Sequence, residues 1–157
     1  MDGEHVKTWE ARCIEEQPPA CTAACPLHVD GRAMLGKLAT GDFSAAFALY
    51  ARMVPFPAII SHICDHPCET ACRRAELGGS LRIRALERAL VEESYAPLRR
   101  SAQRNRKPKR VAVIGGGLAG LTAAFDLAMK GHAITVFESE GRLLDRLHTD
   151  YDDSLLP

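Results

Sequence analysis

The chain has 157 residues, enough for one ordinary domain or two small ones. Hydrophobic residues make up 46% and charged residues 25%, values that exclude wholesale disorder. Twenty basic and twenty acidic side chains cancel, so the bulk charge does not favour a polyanion binder. No apolar run approaches the ~20 residues of a membrane helix, and the charged N-terminus lacks the apolar core of a secretory signal. We therefore expect a cytoplasmic protein without membrane insertion.

Three regions of the chain differ in character. Residues 1–98 hold all the cysteines and are predicted to form helices joined by proline-marked loops. Residues 99–110 are basic and are interpreted as a solvated linker, because they lack aromatic residues and a recognisable nucleic-acid-binding motif. Residues 111–157 begin with a strand–turn–helix–strand pattern.

Capping residues and apolar spacing predict the helices of the first region. Asp30 is positioned to cap a helix over Gly31–Leu38, and Asp42 or Ser44 to cap one over Ala45–Met53. Prolines predict a loop around Cys21 and Cys25 and a second loop at Pro55 and Pro57. A further helix over residues 80–95 is predicted to turn four apolar residues inward: Leu81, Leu86, Leu90 and Val91.

The six cysteines fall into two groups: Cys13, Cys21 and Cys25, then Cys64, Cys68 and Cys72. In a reducing compartment such groups are more often metal ligands than disulfides. The four-residue steps of the second group would share one face of a helix, although Pro67 makes the start of this segment irregular. Thiolates suit iron bridged by sulfide, and the Cys-Pro step after the first group recurs in iron–sulfur ligand runs. Zinc is the alternative, bound by four thiolates or by three with a histidine such as His66.

A glycine-rich turn follows the apolar run Val111–Ile114, which suits a buried parallel strand. In such a turn Gly115 permits a tight bend, Gly117 lets the backbone approach a pyrophosphate, and Gly120 lets helix and strand pack closely. The pattern predicts a dinucleotide site without distinguishing FAD from NAD.

Three further residues belong to this predicted dinucleotide site. Leu118 and Ala119 open the helix, whose N-terminus offers unpaired amides to phosphates. Glu138 ends the second strand, where it is placed to accept hydrogen bonds from ribose hydroxyls. The alternative is a glycine-rich turn that binds no ligand.

The stretches 21–30, 55–59 and 64–74 resemble, in this order, the N-terminal iron–sulfur domain of the glutamate synthase small subunit. Dihydropyrimidine dehydrogenase and related NAD(P)H-dependent oxidoreductases carry the same domain. The match runs from about Ala11 to Leu90 and continues into the glycine motif. The resemblance implies an all-α iron–sulfur domain followed by the first βαβ unit of a truncated Rossmann-type α/β FAD-binding domain.

The resemblance also implies ligands for a first [4Fe–4S] cluster. Cys13, Cys21 and Cys72 match three of them, but Glu16 stands where the family pattern has a cysteine. Glu16 either binds iron directly or points to solvent. In the second case this site holds a three-iron cluster, takes a thiol from elsewhere, or stays empty.

A second [4Fe–4S] cluster is implied by the same resemblance. Cys25, Cys64 and Cys68 match three of its ligands, and Glu87 occupies the position of the family's fourth, non-cysteine ligand. His62 stands where relatives have another residue, and we interpret it as an ordinary packed or solvated histidine rather than a residue that tunes the cluster.

The function implied is electron transfer within an FAD- and iron–sulfur-dependent NAD(P)H oxidoreductase. In such proteins hydride reduces FAD and clusters pass electrons to a catalytic partner subunit or domain, while NAD(P)H binds further along a longer chain. No residue of this chain has the pattern of a general acid, base or nucleophile. The alternative is a non-enzymatic helical interaction module held together by zinc or by one structural cluster. The electron acceptor, the choice between NADH and NADPH, and the oligomeric state are left open.

Overall fold

The computed structural model describes residues 18–94, 109–152 and 156. Two predicted ligand positions, Cys13 and Glu16, lie outside these residues, as does most of the linker predicted over 99–110. The described chain forms a helical unit over 18–94 and a small α/β unit over 109–152. The predicted fold class, an all-α unit followed by the start of a Rossmann-type fold, is confirmed.

The helical unit consists of short helices separated by turns and polar caps. In chain order they are α1 (Ala20–Ala24), α2 (Gly31–Ala39), α3 (Phe43–Met53), α4 (Pro57–Ile63), α5 (Pro67–Thr70), a 3-10 helix (Arg73–Leu77) and α6 (Ile83–Ser94). Asp30 Oδ1 accepts a hydrogen bond from Ala33 N, and Asp42 Oδ1 accepts one from Ala45 N, each at 3.0 Å. Both caps were predicted, with Asp42 rather than Ser44 as the cap of α3.

The structure corrects the two predicted loops. Cys21 lies within α1 and Cys25 is its C-terminal cap, because Pro18 and Pro19 precede the helix instead of interrupting it. Pro57 occupies the first turn of α4, where its missing N–H leaves no helical hydrogen bond unmade. Within the described residues, Pro57 and Pro67 each lie in the first turn of a helix.

Helix α6 buries a face that includes a carboxylate. Its buried residues are Ile83, Glu87, Leu90 and Val91, which share one side of a helix. Leu86, which was predicted to point inward, is 37% exposed. Leu81 precedes the helix and is half-buried. Glu87 thus takes the core position that hydrophobicity alone would have given to a leucine.

The core of the helical unit lies where α3 packs against α2 and α6. Met34, Tyr50, Val54 and Leu90 are fully buried there, and each such side chain contributes about 1.5–3 kcal/mol when it leaves water. Cys68 belongs to the same core. Helices α4 and α5 also contact α6. The Cys68 thiol is therefore fixed by the packing of this core.

The α/β unit is a parallel two-stranded sheet with one helix against it. Strands β1 (Arg110–Ile114) and β2 (Ala133–Phe137) are connected through α7 (Leu118–Met129), and α8 (Asp145–Asp150) follows. Ile114 lies opposite Phe137 in the register, and their exposed fractions are 82% and 53%. The two units meet where the rings of Phe56 and Phe125 lie 6.3 Å apart between centroids.

The described helices are all short, and the longest, α6 and α7, have 12 residues each. No single helix in the described part of the chain is long and apolar enough to span a membrane. Helices α3 and α4 taken together pass the same test of length and composition across a bend of 81°.

Candidate metal centre and nucleotide site

Three thiols and a carboxyl group meet inside the helical unit. Cys25 caps the end of α1, Cys64 caps the end of α4, Cys68 lies in α5, and Glu87 comes from the buried face of α6. Cys68 and Glu87 are 8% and 7% exposed. Four separate elements therefore each supply one residue of the set that the family resemblance implied for the second cluster.

The charges of these groups act on one another's pKa values. Burial raises the pKa of Cys68 to about 12, and the charges of Glu87, Cys25 and Cys64 act in the same direction. Burial also raises the pKa of Cys64, with Glu87 and Cys25 again contributing, against a hydrogen bond that His66 N donates to Cys64 Sγ at 3.4 Å. We call Cys25, Cys64, Cys68 and Glu87 the inner set.

A buried histidine lies beside the carboxyl group of the inner set. Burial raises the pKa of Glu87 to about 7, and the nearby Glu69 adds to this. Burial lowers the pKa of His66, and the positive charge of Arg84 acts in the same direction. His66 is thus neutral and Glu87 substantially protonated at neutral pH. A bound metal would favour the carboxylate form and release the proton.

Several buried polar atoms in this region have no hydrogen-bond partner among the described residues. They include the Tyr50 hydroxyl, both ring nitrogens of His66 and the Thr22 hydroxyl. An unpaired buried polar group costs about 1–3 kcal/mol, so such groups usually have a partner. Soft thiols, one carboxyl group and free hydrogen-bonding atoms fit an iron–sulfur cluster, whose sulfur atoms accept hydrogen bonds. In the described residues, no three His, Cys, Asp or Glu side chains are spaced to hold a single metal ion.

Cys21 and Cys72 line a different cavity, of about 360 Å³. Leu81 N donates to Cys72 Sγ at 3.5 Å, and a β-carbon at Gly31 would lie 3.5 Å from Cys21 Sγ. Three arginines also line this cavity: Arg32, Arg73 and Arg74. The structure therefore brings together the two described residues of the set implied for the first cluster. We call this the outer cavity.

The four-residue spacing of the second cysteine group does not place it on one helix. His66 has a left-handed backbone with φ of 55°, and Pro67 starts a new helix directly after it. Cys64 and Cys68 consequently join the inner set, whereas Cys72 lies at the outer cavity. The irregularity expected at Pro67 is therefore confirmed, and it prevents the three cysteines from sharing one helical face.

Two arginines of α6 hold the end of α4. Arg88 Nε donates to Ser61 O and Arg88 Nη2 to His62 O, both at 3.2 Å, and Arg84 Nη2 donates to His62 O at 2.9 Å. The last carbonyls of a helix lack partners within it, so these bonds complete the end of α4 immediately before Cys64. Neither arginine was predicted from the sequence to have a role near the cysteines.

The same end of α4 carries His62. Its Nδ1 lies 2.7 Å from the carbonyl oxygen of Ala58, one turn earlier in the same helix. The ring is half-buried, and its contacts are local. These contacts are those of a packed histidine, as predicted.

The glycine-rich turn forms a cavity of about 380 Å³. Five predicted residues line it: Gly115, Gly117, Leu118, Ala119 and Gly120. The φ of Gly115 is +98°, and a β-carbon at Gly120 would lie 2.0 Å from Gly115 O. The space around Gly117 is open. The first glycine therefore makes the bend, the third permits close packing, and the second leaves room for a ligand.

Glu138 is held by backbone amides at this turn. Its carboxylate accepts hydrogen bonds from Gly116 N at 2.5 Å, Ser139 N at 2.6 Å and Glu140 N at 3.1 Å. These bonds lower its pKa, so it is ionised at neutral pH. Arg146 also lines the cavity, and nothing in its sequence context pointed to it. The contact that was predicted between Glu138 and a ribose stays a prediction.

Comparisons with known proteins follow the same division of the chain. Residues 1–97 match the family described as dihydropyrimidine dehydrogenase domain II, 4Fe-4S cluster. Residues 113–149 match the NAD(P)-binding Rossmann-like domain family. The resemblance inferred from the cysteine and glycine motifs is thereby confirmed.

Three curated relatives illustrate the similarity. The NADPH-Fe(3+) oxidoreductase subunit beta of Geobacter sulfurreducens is 31% identical over 133 residues, which cover 82% of this chain and 19% of that protein. The NADP(+)-dependent formate dehydrogenase subunit beta of Moorella thermoacetica is 29% identical over 142 residues, which cover 76% of this chain and 20% of that protein. The glutamate synthase [NADPH] small chain of Bacillus subtilis is 27% identical over 150 residues, which cover 88% of this chain and 30% of that protein. The chain thus spans less than a third of each of these proteins.

Proposed function

Because the chain belongs to the dihydropyrimidine dehydrogenase domain II family of 4Fe-4S proteins, we propose that it carries electrons within an FAD- and iron–sulfur-dependent NAD(P)H oxidoreductase. Its relatives are named as subunits of NADPH-, formate- and glutamate-linked oxidoreductases. The chain spans only about a fifth of the first of them. The complete reaction therefore belongs to a longer or multi-subunit enzyme.

The inner set would hold one [4Fe–4S] cluster. Its three thiols and the Glu87 carboxyl group come from four elements that pack on one core. When bound, the cluster accepts and releases one electron at a time. The protein contributes the ligands, the burial and the hydrogen bonds that set the reduction potential.

The outer cavity would hold a second [4Fe–4S] cluster. Cys21 and Cys72 line it, and Cys13 and Glu16 are the remaining candidates for its ligands. An oxygen ligand in place of a thiolate would change the potential of this cluster. The three arginines around the cavity favour anionic ligands and a reduced cluster.

The glycine-rich turn would bind the ADP half of FAD. Its lining residues leave the backbone of Gly117 open, and the N-terminus of α7 faces the same cavity. We retain the division into a cluster-binding domain over 1–98, a linker over 99–110 and a partial nucleotide-binding domain over 111–157. NAD(P)H would bind a further Rossmann unit of the longer enzyme.

The partner in this proposal is a catalytic subunit or domain that accepts electrons, and the location is the cytoplasm. No residue described above is assigned as a catalytic acid, base or nucleophile. The substrate of the partner is not specified by either candidate site. The segment therefore acts as an electron conduit.

The observation that supports this proposal most is that, in a chain of this family, Cys25 packs against the core that contains Cys68, and Glu87 is buried on α6. The test is the absorption spectrum of anaerobically purified protein. A broad band at about 400 nm that dithionite bleaches supports the proposal. A colourless protein with stoichiometric zinc would contradict it and support the alternative, a non-enzymatic zinc-binding module.

A further inference from the structure

The Tyr50 hydroxyl is an unexplained polar group in the core. Tyr50 lies in the last part of α3, and its exposed fraction is 1%. Its oxygen has no hydrogen-bond partner among the described residues. A phenylalanine would fill the same space without a hydroxyl, so the orphaned group costs about 1–3 kcal/mol unless something accepts its hydrogen bond.

The surroundings of Tyr50 indicate what that partner is. Tyr50 and Cys68 belong to one buried cluster of side chains, against which Cys25 packs. Burial raises the pKa of Tyr50, and the charges of Glu87, Cys64, Cys25 and Cys68 raise it further. Cys68 and Cys25 of the inner set thus share the buried surroundings of this hydroxyl, which stays protonated and is available as a donor.

We propose that Tyr50 donates a hydrogen bond to a sulfur atom of the group held by the inner set and thereby raises its reduction potential. The proposal rests on the proposed function, since it requires a cluster at that site. A hydrogen bond to sulfur stabilises the more negative, reduced state more than the oxidised state. The hydroxyl would thus tune the cluster, while the ring fills the core.

The test compares Tyr50→Phe with the unchanged protein in a Cys21→Ser background, which isolates the inner set. Both chains are reconstituted anaerobically with iron and sulfide, and the midpoint potential is measured by a titration followed with electron paramagnetic resonance. Tyr151→Phe is the matched control, because it makes the same chemical change in the α/β unit, next to α8. The cluster-free chains are also unfolded with urea.

The expected result is a lower midpoint potential for Tyr50→Phe, with unchanged iron content and no shift for Tyr151→Phe. An exchangeable proton coupled to the cluster, visible by electron–nuclear double resonance, is expected to disappear in the same variant. The cluster-free Tyr50→Phe chain should be at least as stable as the parent, because it loses an unpaired buried hydroxyl.

Equal potentials and equal proton couplings in the two chains would overturn the inference and leave the proposed function intact. A parent chain that binds no iron and sulfide at all would overturn both. These two failures are therefore distinguishable by the iron content of the parent.

Discussion

The Glu87 carboxyl oxygen Oε2 lies 3.6 Å from the His66 ring nitrogen Nε2, and both side chains are buried. The two pKa shifts oppose an ion pair, since burial lowers the pKa of His66 and raises that of Glu87 to about 7. When a cation binds to the three thiols and Glu87, these groups would lose their protons to solvent.

The first prediction concerns the pH dependence of the cluster-free chain. The folded pKa of Glu87, about 7, lies above its ordinary value of 4.5, so the unfolded chain loses this proton first. The contribution of Glu87 to stability is then present below pH ~4.5 and is lost as the pH rises towards 7, by up to about 3 kcal/mol.

Urea unfolding between pH 4.5 and 7.5 measures this effect. Glu87→Gln removes the titrating group, so the difference in stability between parent and variant isolates it from His66, whose lowered pKa acts in the opposite direction. The free energy of unfolding of Glu87→Gln, relative to that of the parent, should increase as the pH rises. A pH-independent difference would contradict the prediction.

The second prediction separates the thiols into two pairs. Cys25→Ser and Cys68→Ser should remove the same cluster, and Cys21→Ser and Cys72→Ser the other. Each variant should therefore lose about four of eight irons, and only two kinds of paramagnetic resonance spectrum should remain among the four. Four different spectra, or one common to all variants, would contradict the grouping.

The third prediction concerns the arginines that complete α4. Arg88→Gln removes two hydrogen bonds from a charged donor to the carbonyls of Ser61 and His62. We expect the free energy of unfolding to fall by about 2 kcal/mol, and alkylation of Cys64 in the cluster-free chain to become faster. Arg82→Gln is the control, because Arg82 is exposed and donates no hydrogen bond within the described residues. Equal changes in stability and in the alkylation rate for the two variants would contradict the prediction, because they would result from the lost charge and not from the lost hydrogen bonds.

The fourth prediction tests the packing of the glycine-rich turn. Gly120→Ala places a methyl group against Gly115 O and should destabilise the α/β unit by about 3 kcal/mol. Gly36→Ala is the control, because Gly36 lies within α2 with nothing within 4 Å, and should stabilise its helix by about 1 kcal/mol. Hydrogen exchange of the β1 amides measures the first effect. Unchanged protection of β1 in Gly120→Ala would be contrary to the structure.

Local signals in the sequence predicted the parts of the fold that depend on neighbouring residues. Asp30 and Asp42 were identified as caps because a cap acts within three residues, and the bend at Gly115 follows from glycine spacing alone. The loop predictions failed at Cys21 and Pro57, since proline permits a helix to begin as readily as it stops one.

The candidate metal centre was only partly predictable. The family resemblance pointed to Glu87, although no periodicity singles out a carboxylate on a core face. The sequence gives no signal for Tyr50, because an aromatic residue at helical spacing is typical of the core and does not indicate that its hydroxyl lacks a partner. Arg88 bonds to residues 26 and 27 positions away, and no local pattern encodes such contacts.

The presence of two iron–sulfur clusters is decided by the amounts of iron and acid-labile sulfide per chain, measured on anaerobically purified protein. We expect about eight of each for two clusters. About four of each would keep the inner set and remove the outer cavity from the proposal. A protein that holds neither iron nor sulfide, with zinc bound instead, would contradict it.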